Sequence, residues 1–328
     1  MEELLISLVE FALRKRCSDI HFTCMDDILH IEFRTPFGLE KIYQDIWKPS
    51  FFAYLKFKAN LDLTNPYAPQ SGGFITKDIP CRFSVIINQT IETGVLRILS
   101  TNPSLMIDEL CMDQTVLSIF HSFVHLRQGL IIFSGPTNSG KTTTVHAILS
   151  AISRQSRNKI VSLEDPIEIR DDGYLQLQID ETLGFTYEKG IEELLRHDPD
   201  VIFIGECRNS YTAHMVIRAC LTGHLVFTTI HAKDSLETLQ RLYDFGIHRH
   251  ELENTLTAIV AQRLYSNLDG IRKECVYEIL TQKELGYAIK FNRYPDEFIG
   301  LAYKISEEIR LHRIRDEQAE YDIQSFKK

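Results

Sequence analysis

One stretch limits what this chain can fold into more than any other. Gly129-Leu-Ile-Ile-Phe-Ser134 is short and nearly all apolar, Gly135-Pro-Thr-Asn-Ser-Gly140-Lys141-Thr142 follows, and Thr142-Thr-Thr-Val-His-Ala-Ile-Leu-Ser150 has helical spacing. The middle segment satisfies G-x-x-x-x-G-K-[ST], and it does so between a strand and a helix, the context that gives the phosphate-loop pattern its meaning. Two glycines let the backbone wrap an anion closely, and the helix that follows presents its positive end to it. The candidate phosphate-binding residues are therefore Gly135, Pro136, Thr137, Asn138, Ser139, Gly140, Lys141, Thr142 and Thr143. Lys141 is expected to reach the β- and γ-phosphates and the Thr142 hydroxyl to hold Mg²⁺. A chance match in a chain this long is on the order of one per cent from average composition, so nucleotide binding is the expectation.

The same grammar continues downstream. Apolar runs KIVSLED, VIFIGE and LVFTTIH alternate with helical stretches GIEELLRHD, YTAHMVIRACL and SLETLQRLYDF. Nearly continuous apolar strands separated by helices predict a parallel sheet covered on both faces. Upstream the pattern is different. After an amphipathic helix over residues 4–16 come DIHFTCM, ILHIEFRT, GGFITKDIPCRFSVII and GVLRIL, which predict an antiparallel sheet broken at Pro36-Phe37-Gly38 and at Ser71-Gly72-Gly73. The chain thus divides into an N-terminal α+β domain (1–101), a linker around Asn102-Pro103-Ser104 (102–115), a parallel-sheet core (116–270) and a mostly helical C-terminal region (271–328). In the last, a strand ECVYEIL precedes helices from about 282.

Charge and cysteine use narrow the setting. With 36 Lys plus Arg against 45 Asp plus Glu, the net charge is −9. Such a surface is a poor non-specific binder of DNA or anionic membranes, because counterion release needs clustered cations. Seven scattered cysteines with no C-x-x-C argue against a disulfide framework and against a zinc site. The N-terminus lacks the positive charge and the apolar length of an export signal, and no run approaches the ~18 apolar residues of a membrane span. A cytoplasmic protein is expected.

Three further segments carry acids or histidines at strand ends. Glu206 closes the apolar strand VIFIG, where phosphate-loop enzymes place the acid that holds Mg²⁺ or orients water. Glu164, Asp165 and Glu168 crowd the end of KIVSL, an expensive arrangement unless a cation is near. His224 and His231 flank LVFTTI, where an imidazole could sense a γ-phosphate. The pairs His121/His125 and His248/His250 lack accompanying ligands and read as surface or packing residues.

Taken in order, GPTNSGKTTT (135–144), SLEDPIEI (162–169), LLRHDPDVIFIGECRN (194–209) and LTGHLVFTTIHAKDS (221–235) resemble the secretion-type ATPases that power type II secretion and type IV pili. AIVAQRL (258–264), VYEIL (276–280) and SDIHF (18–22) look like further segments of that family. The resemblance implies a RecA-like ATPase domain, a smaller PAS-like α+β domain before it and a helical tail. It implies ATP and Mg²⁺ as cofactors, with Thr142 and Glu206 on the metal. It also implies catalytic roles for Glu164, Glu206 and His231, and for Arg82 (CRFSV) and Arg97 (VLRIL) as positive residues reaching the nucleotide. A homo-hexamer working on an integral membrane pilus platform protein, held through such partners at the inner face of the plasma membrane, is implied as well.

The departures from the family pattern are informative. Asn138 replaces a glycine of the loop and Asn209 the acid usual after Gly-Glu-x-Arg. The paired C-x-x-C insertion and the extra N-terminal domain of longer members are missing, so the chain resembles most the short competence ATPases that drive a transformation pilus for DNA uptake. The alternatives are a type II secretion or other type IV pilus motor and a nucleotide-gated scaffold that does not hydrolyse. A GTPase is disfavoured because Asn158-Lys159-Ile160-Val161 lacks the Asp of N-K-x-D, a transporter subunit because LSGGQ is absent, and a direct DNA motor by the −9 charge.

Overall fold

The computed structural model describes the chain apart from residues 16, 18, 36–37, 43–46, 65–66, 100–104, 156–157, 181–182, 269–272 and 327–328, and the side chains of 316 and 318. It divides into two compact units, Met1–Asn102 and Pro103–Lys328. The expected break at Pro36-Phe37 and the linker centre Asn102-Pro103-Ser104 lie outside the described residues.

The first unit runs α1 (Glu2–Arg14), β1 (Asp19–Met25), β2 (Ile28–Thr35), β3 (Gly38–Ile42), α2 (Pro49–Lys58), β4 (Gln70–Thr76), β5 (Ile79–Ile87) and β6 (Ile91–Ile98). The strands form one antiparallel sheet in the order β3-β2-β1-β6-β5-β4. Alternation sets one face inward: Ile20, Phe22, Ile31, Phe33, Phe83 and Leu96 share a core with Leu5 and Leu8 of α1 and Phe51, Phe52 and Leu55 of α2. This is a PAS-like α+β domain. The expected break at Ser71-Gly72-Gly73 is corrected here, because all three residues lie inside β4. Glycine is required at 72 for a different reason: a Cβ there would stand 1.9 Å from the Ala59 carbonyl oxygen at the end of α2. Helix α2 itself lacks a clean apolar stripe, since Phe57 is 70% exposed while Phe51, Phe52 and Leu55 are buried, and periodicity alone misses it.

The second unit begins with a 3₁₀ turn, Ile107–Glu109, then α3 (Gln114–Phe123), β7 (Gly129–Ser134), α4 (Lys141–Gln155), β8 (Ile160–Glu164), β9 (Leu175–Gln178), α5 (Tyr187–Leu194), β10 (Val201–Ile204), α6 (Ser210–Leu221) and β11 (Leu225–Ile230). It continues with α7 (Ser235–Asp244), α8 (Arg249–Thr255), β12 (Leu256–Ser266), β13 (Lys273–Thr281), α9 (Gln282–Phe291), α10 (Leu301–Arg310) and α11 (Asp316–Phe326). Seven strands make one sheet, β13-β12-β7-β11-β10-β8-β9, parallel except for the β12–β13 pair.

Successive residues of each central strand feed opposite cores. Leu130, Ile132, Ile202 and Val226 pack with α5–α9, while Ile131, Phe133, Phe203 and Phe227 pack with α3 and α4. The result is a RecA-like sheet covered on both faces. The described part of the expected linker is not loose: Ile107, Leu110 and Cys111 are buried in the same core as α3 and α4. In the region from 271 the strand expected at ECVYEIL is β13, which closes the sheet edge through nine register pairs with β12.

Candidate active site

Parallel strands bring their C-terminal ends to one edge of the sheet, and ligands bind at that edge. Here the phosphate loop follows β7, and Glu164, Glu206 and His231 stand at or just beyond the ends of β8, β10 and β11. The loop has the backbone its sequence calls for. Gly135 and Gly140 have φ of 152° and 87°, and Asn138 has φ 64°, the left-handed conformation Asn tolerates. A Cβ at Gly135 would lie 2.5 Å from Ser139 Oγ and 2.6 Å from Gln262 O, so this turn has no room for a side chain.

Lys141 is buried and turned onto the loop, its Nζ donating to the carbonyls of Gly135 and Pro136 at 2.9 Å each. Burial lowers its pKa to about 8; the charges of Glu206 and Glu168 oppose that shift and Arg263 adds to it. Glu206 is fixed from two sides. It accepts a hydrogen bond from Arg208 Nε at 2.8 Å and lies 3.3 Å from His231 Nε2. Arg208 also lies 3.9 Å from Asp165, which joins the acidic segment to the same group. Thr229 Oγ1 donates to Gly205 O at 2.6 Å and braces the turn that carries Glu206. His231 is held below its usual pKa, first by burial and next by the Lys141 charge, with Glu206 opposing, so the imidazole is neutral at pH 7.

Glu164 is buried and its carboxylate takes three donors: Ser162 Oγ at 2.6 Å and Gln176 Nε2 at 3.2 Å on one oxygen, His146 Nε2 at 3.2 Å on the other. Tyr174, kept protonated because burial raises its pKa, hydrogen-bonds to His146 Nδ1. The structure therefore separates the two acids. Glu206 faces Lys141 and His231, whereas Glu164 is enclosed behind α4. His224 lies at the other end of β11, with Nδ1 against Ala219 O and Thr222 Oγ1, and takes no part in the site. Asn209 acts locally. Its side chain accepts from Thr212 N at 2.8 Å and caps α6, a role Asn fills as well as Asp.

Arg82 and Arg97 belong to the first unit, where they face each other across β5 and β6. Register extends the row. Arg97 pairs with Asp19 and Asp19 with Arg34, so three guanidiniums and one carboxylate cross four neighbouring strands. Arg97 Nε donates to Asp19 at 2.8 Å and Arg82 Nε to Ser71 Oγ at 2.8 Å. Sequence reasoning passed over Arg34, which only the pairing of DIHFTCM with ILHIEFRT could have revealed. It also passed over His146, Tyr174 and Gln176, whose meeting around Glu164 has no signature in their spacing.

The type II/IV secretion system protein family matches residues 1–295. The chain is 34% identical over 313 residues to competence protein ComGA of Bacillus subtilis, covering 88% of each chain. It is 32% identical over 331 residues to competence protein ComGA of Halalkalibacterium halodurans, covering 94% of each. It is 34% identical over 272 residues to type II secretion system protein E of Pectobacterium carotovorum, covering 81% of this chain and 54% of that protein, about half its length. Among solved structures, the Legionella pneumophila ATPase DotB superposes with a TM-score of 0.78 at 19% identity, over 99% of this chain and 96% of that one. The pilus retraction motor PilT with bound ADP superposes with a TM-score of 0.78 at 24% identity, over 96% and 95%. The chain therefore belongs to the type II/IV secretion system protein family, as a nucleotide-binding ATP hydrolase of that family.

Proposed function

We propose that this ATPase is the Mg²⁺-dependent motor for a competence pilus that takes up DNA, acting as a homo-hexamer on an integral membrane platform protein. The observation that carries the reading is one site uniting a complete phosphate loop, Lys141, Glu206 and His231, in a chain whose near-full-length relatives are competence proteins. No helix among the described residues is long and apolar enough to cross a membrane, so membrane contact in this reading runs through partners.

The residues fit a nucleotide and its metal. Lys141 rests on carbonyls of its own loop, and the Ser134, Ser139 and Thr228 hydroxyls are buried without a protein partner among the described residues. The Thr142 hydroxyl and the Glu206 carboxylate are hard oxygen donors of the kind Mg²⁺ takes. When bound, the metal would supply charge neutralisation on the β- and γ-phosphates. Lys141 swings from Gly135 O and Pro136 O onto phosphate oxygen. Glu206, aimed by Arg208, orients the attacking water, and neutral His231 beside it registers the γ-phosphate. Glu164, held by Ser162, Gln176 and His146, is the second acid of the reading, at the end of the neighbouring strand β8. Arg82 and Arg97 offer guanidiniums for charge spreading over the transferred group.

Phosphate release from wild type, Lys141→Ala and Glu206→Gln tests the chemistry. Both variants should fall at least about a hundredfold; equal background release in all three would leave a nucleotide-gated scaffold instead. Deleting the gene and scoring transformation tests the biological role. A strain that still takes up DNA but fails to secrete protein would favour the type II secretion reading, which rests on the 34% identity to protein E.

A further inference from the structure

The phosphate loop leans on a residue that belongs to no nucleotide motif. Ala261 of β12 pairs in parallel with Ser134 of β7, so the next residue, Gln262, lies beside the start of the loop. Its side chain is completely buried. Nε2 donates to the Ser139 carbonyl at 2.7 Å. Its own carbonyl oxygen is, with Ser139 Oγ, one of the two atoms that forbid a side chain at Gly135, and a Cβ at Gly140 would meet its Nε2 at 3.3 Å. Arg263 Nη1 donates to that carbonyl at 3.0 Å and keeps it in place. One residue thus touches the first, fifth and sixth positions of the eight-residue loop 135–142.

The consequence follows from peptide planarity. The Ser139 C=O and the Gly140 N–H belong to one trans peptide unit and point in opposite directions. Fixing the carbonyl on Gln262 therefore aims the Gly140 N–H away from β12, into the turn of the loop. An anion in that turn needs N–H groups already pointing at it, since turning a peptide unit at the moment of binding costs affinity. We propose that Gln262 is a positioning residue for nucleotide binding, holding the Ser139–Gly140 peptide in its phosphate-facing orientation. The proposal rests on the nucleotide-binding reading of the loop and adds a residue to it.

Its test separates positioning from packing. Gln262→Met and Gln262→Leu keep bulk and remove the donor, and either folded variant serves. Ile259→Ala, three residues earlier in β12 and equally buried, is the packing control. ADP affinity by calorimetry, kcat and KM for ATP, and the nucleotide-free Tm are measured for each. Loss of one buried hydrogen bond predicts ADP binding weakened about fivefold to tenfold with KM rising in step, kcat within about threefold of wild type, and Ile259→Ala binding ADP normally despite a lower Tm. Wild-type ADP affinity in both Gln262 variants would overturn the proposal, and so would an equal loss in Ile259→Ala. Wild type that binds no ADP would instead overturn the nucleotide reading, a separate outcome.

Discussion

Lys141 shows how much one residue's surroundings decide. Its position in the chain announces phosphate binding, but its burial against the Gly135 and Pro136 carbonyls sets its protonation, with a pKa near 8 in place of the usual 10.5. A phosphate beside the ammonium favours the charged form and raises that pKa. Between about pH 8 and 10 the free protein therefore holds fewer protons at this site than the complex, and binding takes protons up. Calorimetry of ADP binding at pH 8.5 in two buffers of different ionisation enthalpy should report net proton uptake, and Lys141→Ala should abolish that component. Asn138 makes the opposite point: it stands where the family has a loop glycine, and it takes the left-handed backbone that Asn tolerates. Glu164 was legible as an acid at a strand end, but its three donors were not. They come from β8, α4 and β9, and only folding brings them together.

Among elements, the sheet edge carries a joint that the tail depends on. Glu278 of β13 is buried. One of its oxygens accepts from Ser235 N at 3.0 Å and Tyr294 OH at 2.8 Å, and the other from Leu301 N at 2.8 Å. Ser235 and Leu301 are the first residues of α7 and α10, so one carboxylate caps two helices, where negative charge also suits both dipoles. Glu278→Ala strands three donors at a cost of about 3 kcal/mol or more, which should lower the Tm of the second unit by roughly 6–10 °C. An unchanged Tm would mean that water replaces the carboxylate without loss. Strands β1, β2 and β4–β6 of one sheet and β7, β8, β10, β11 and β13 of the other were legible because alternation and continuous apolar runs differ so plainly. Helix α2 and strand β12 were not, since neither keeps a simple period and both take their form from what they pack against.

For the whole molecule, the two units frame the assembly question. The first unit carries Arg34, Arg82 and Arg97 in one row, where like charges face each other across Arg82 and Arg97 and a single carboxylate, Asp19, lies between Arg97 and Arg34. If ATP is held between subunits, Mg-ATP stabilises the ring by mass action. Glu206→Gln protein with Mg-ATP should then have a native mass of about 228 kDa, six copies of a 38.0 kDa chain. Arg82→Ala should weaken the ring without altering the folded monomer. A monomer under every nucleotide condition would move assembly onto the membrane partner.

The sequence alone determined the phosphate loop, the parallel core and the order of the acidic and histidine segments. Each of these is a local matter: a left-handed glycine, a continuous apolar strand, a capped helix. Tertiary structure decided which acid faces Lys141 and which is enclosed by His146, that β13 closes the sheet, and that Gln262 of β12 shapes a loop more than a hundred residues away. Those outcomes depend on strand order and register. Local propensities leave both open, and only the packing of the assembled sheet selects one arrangement.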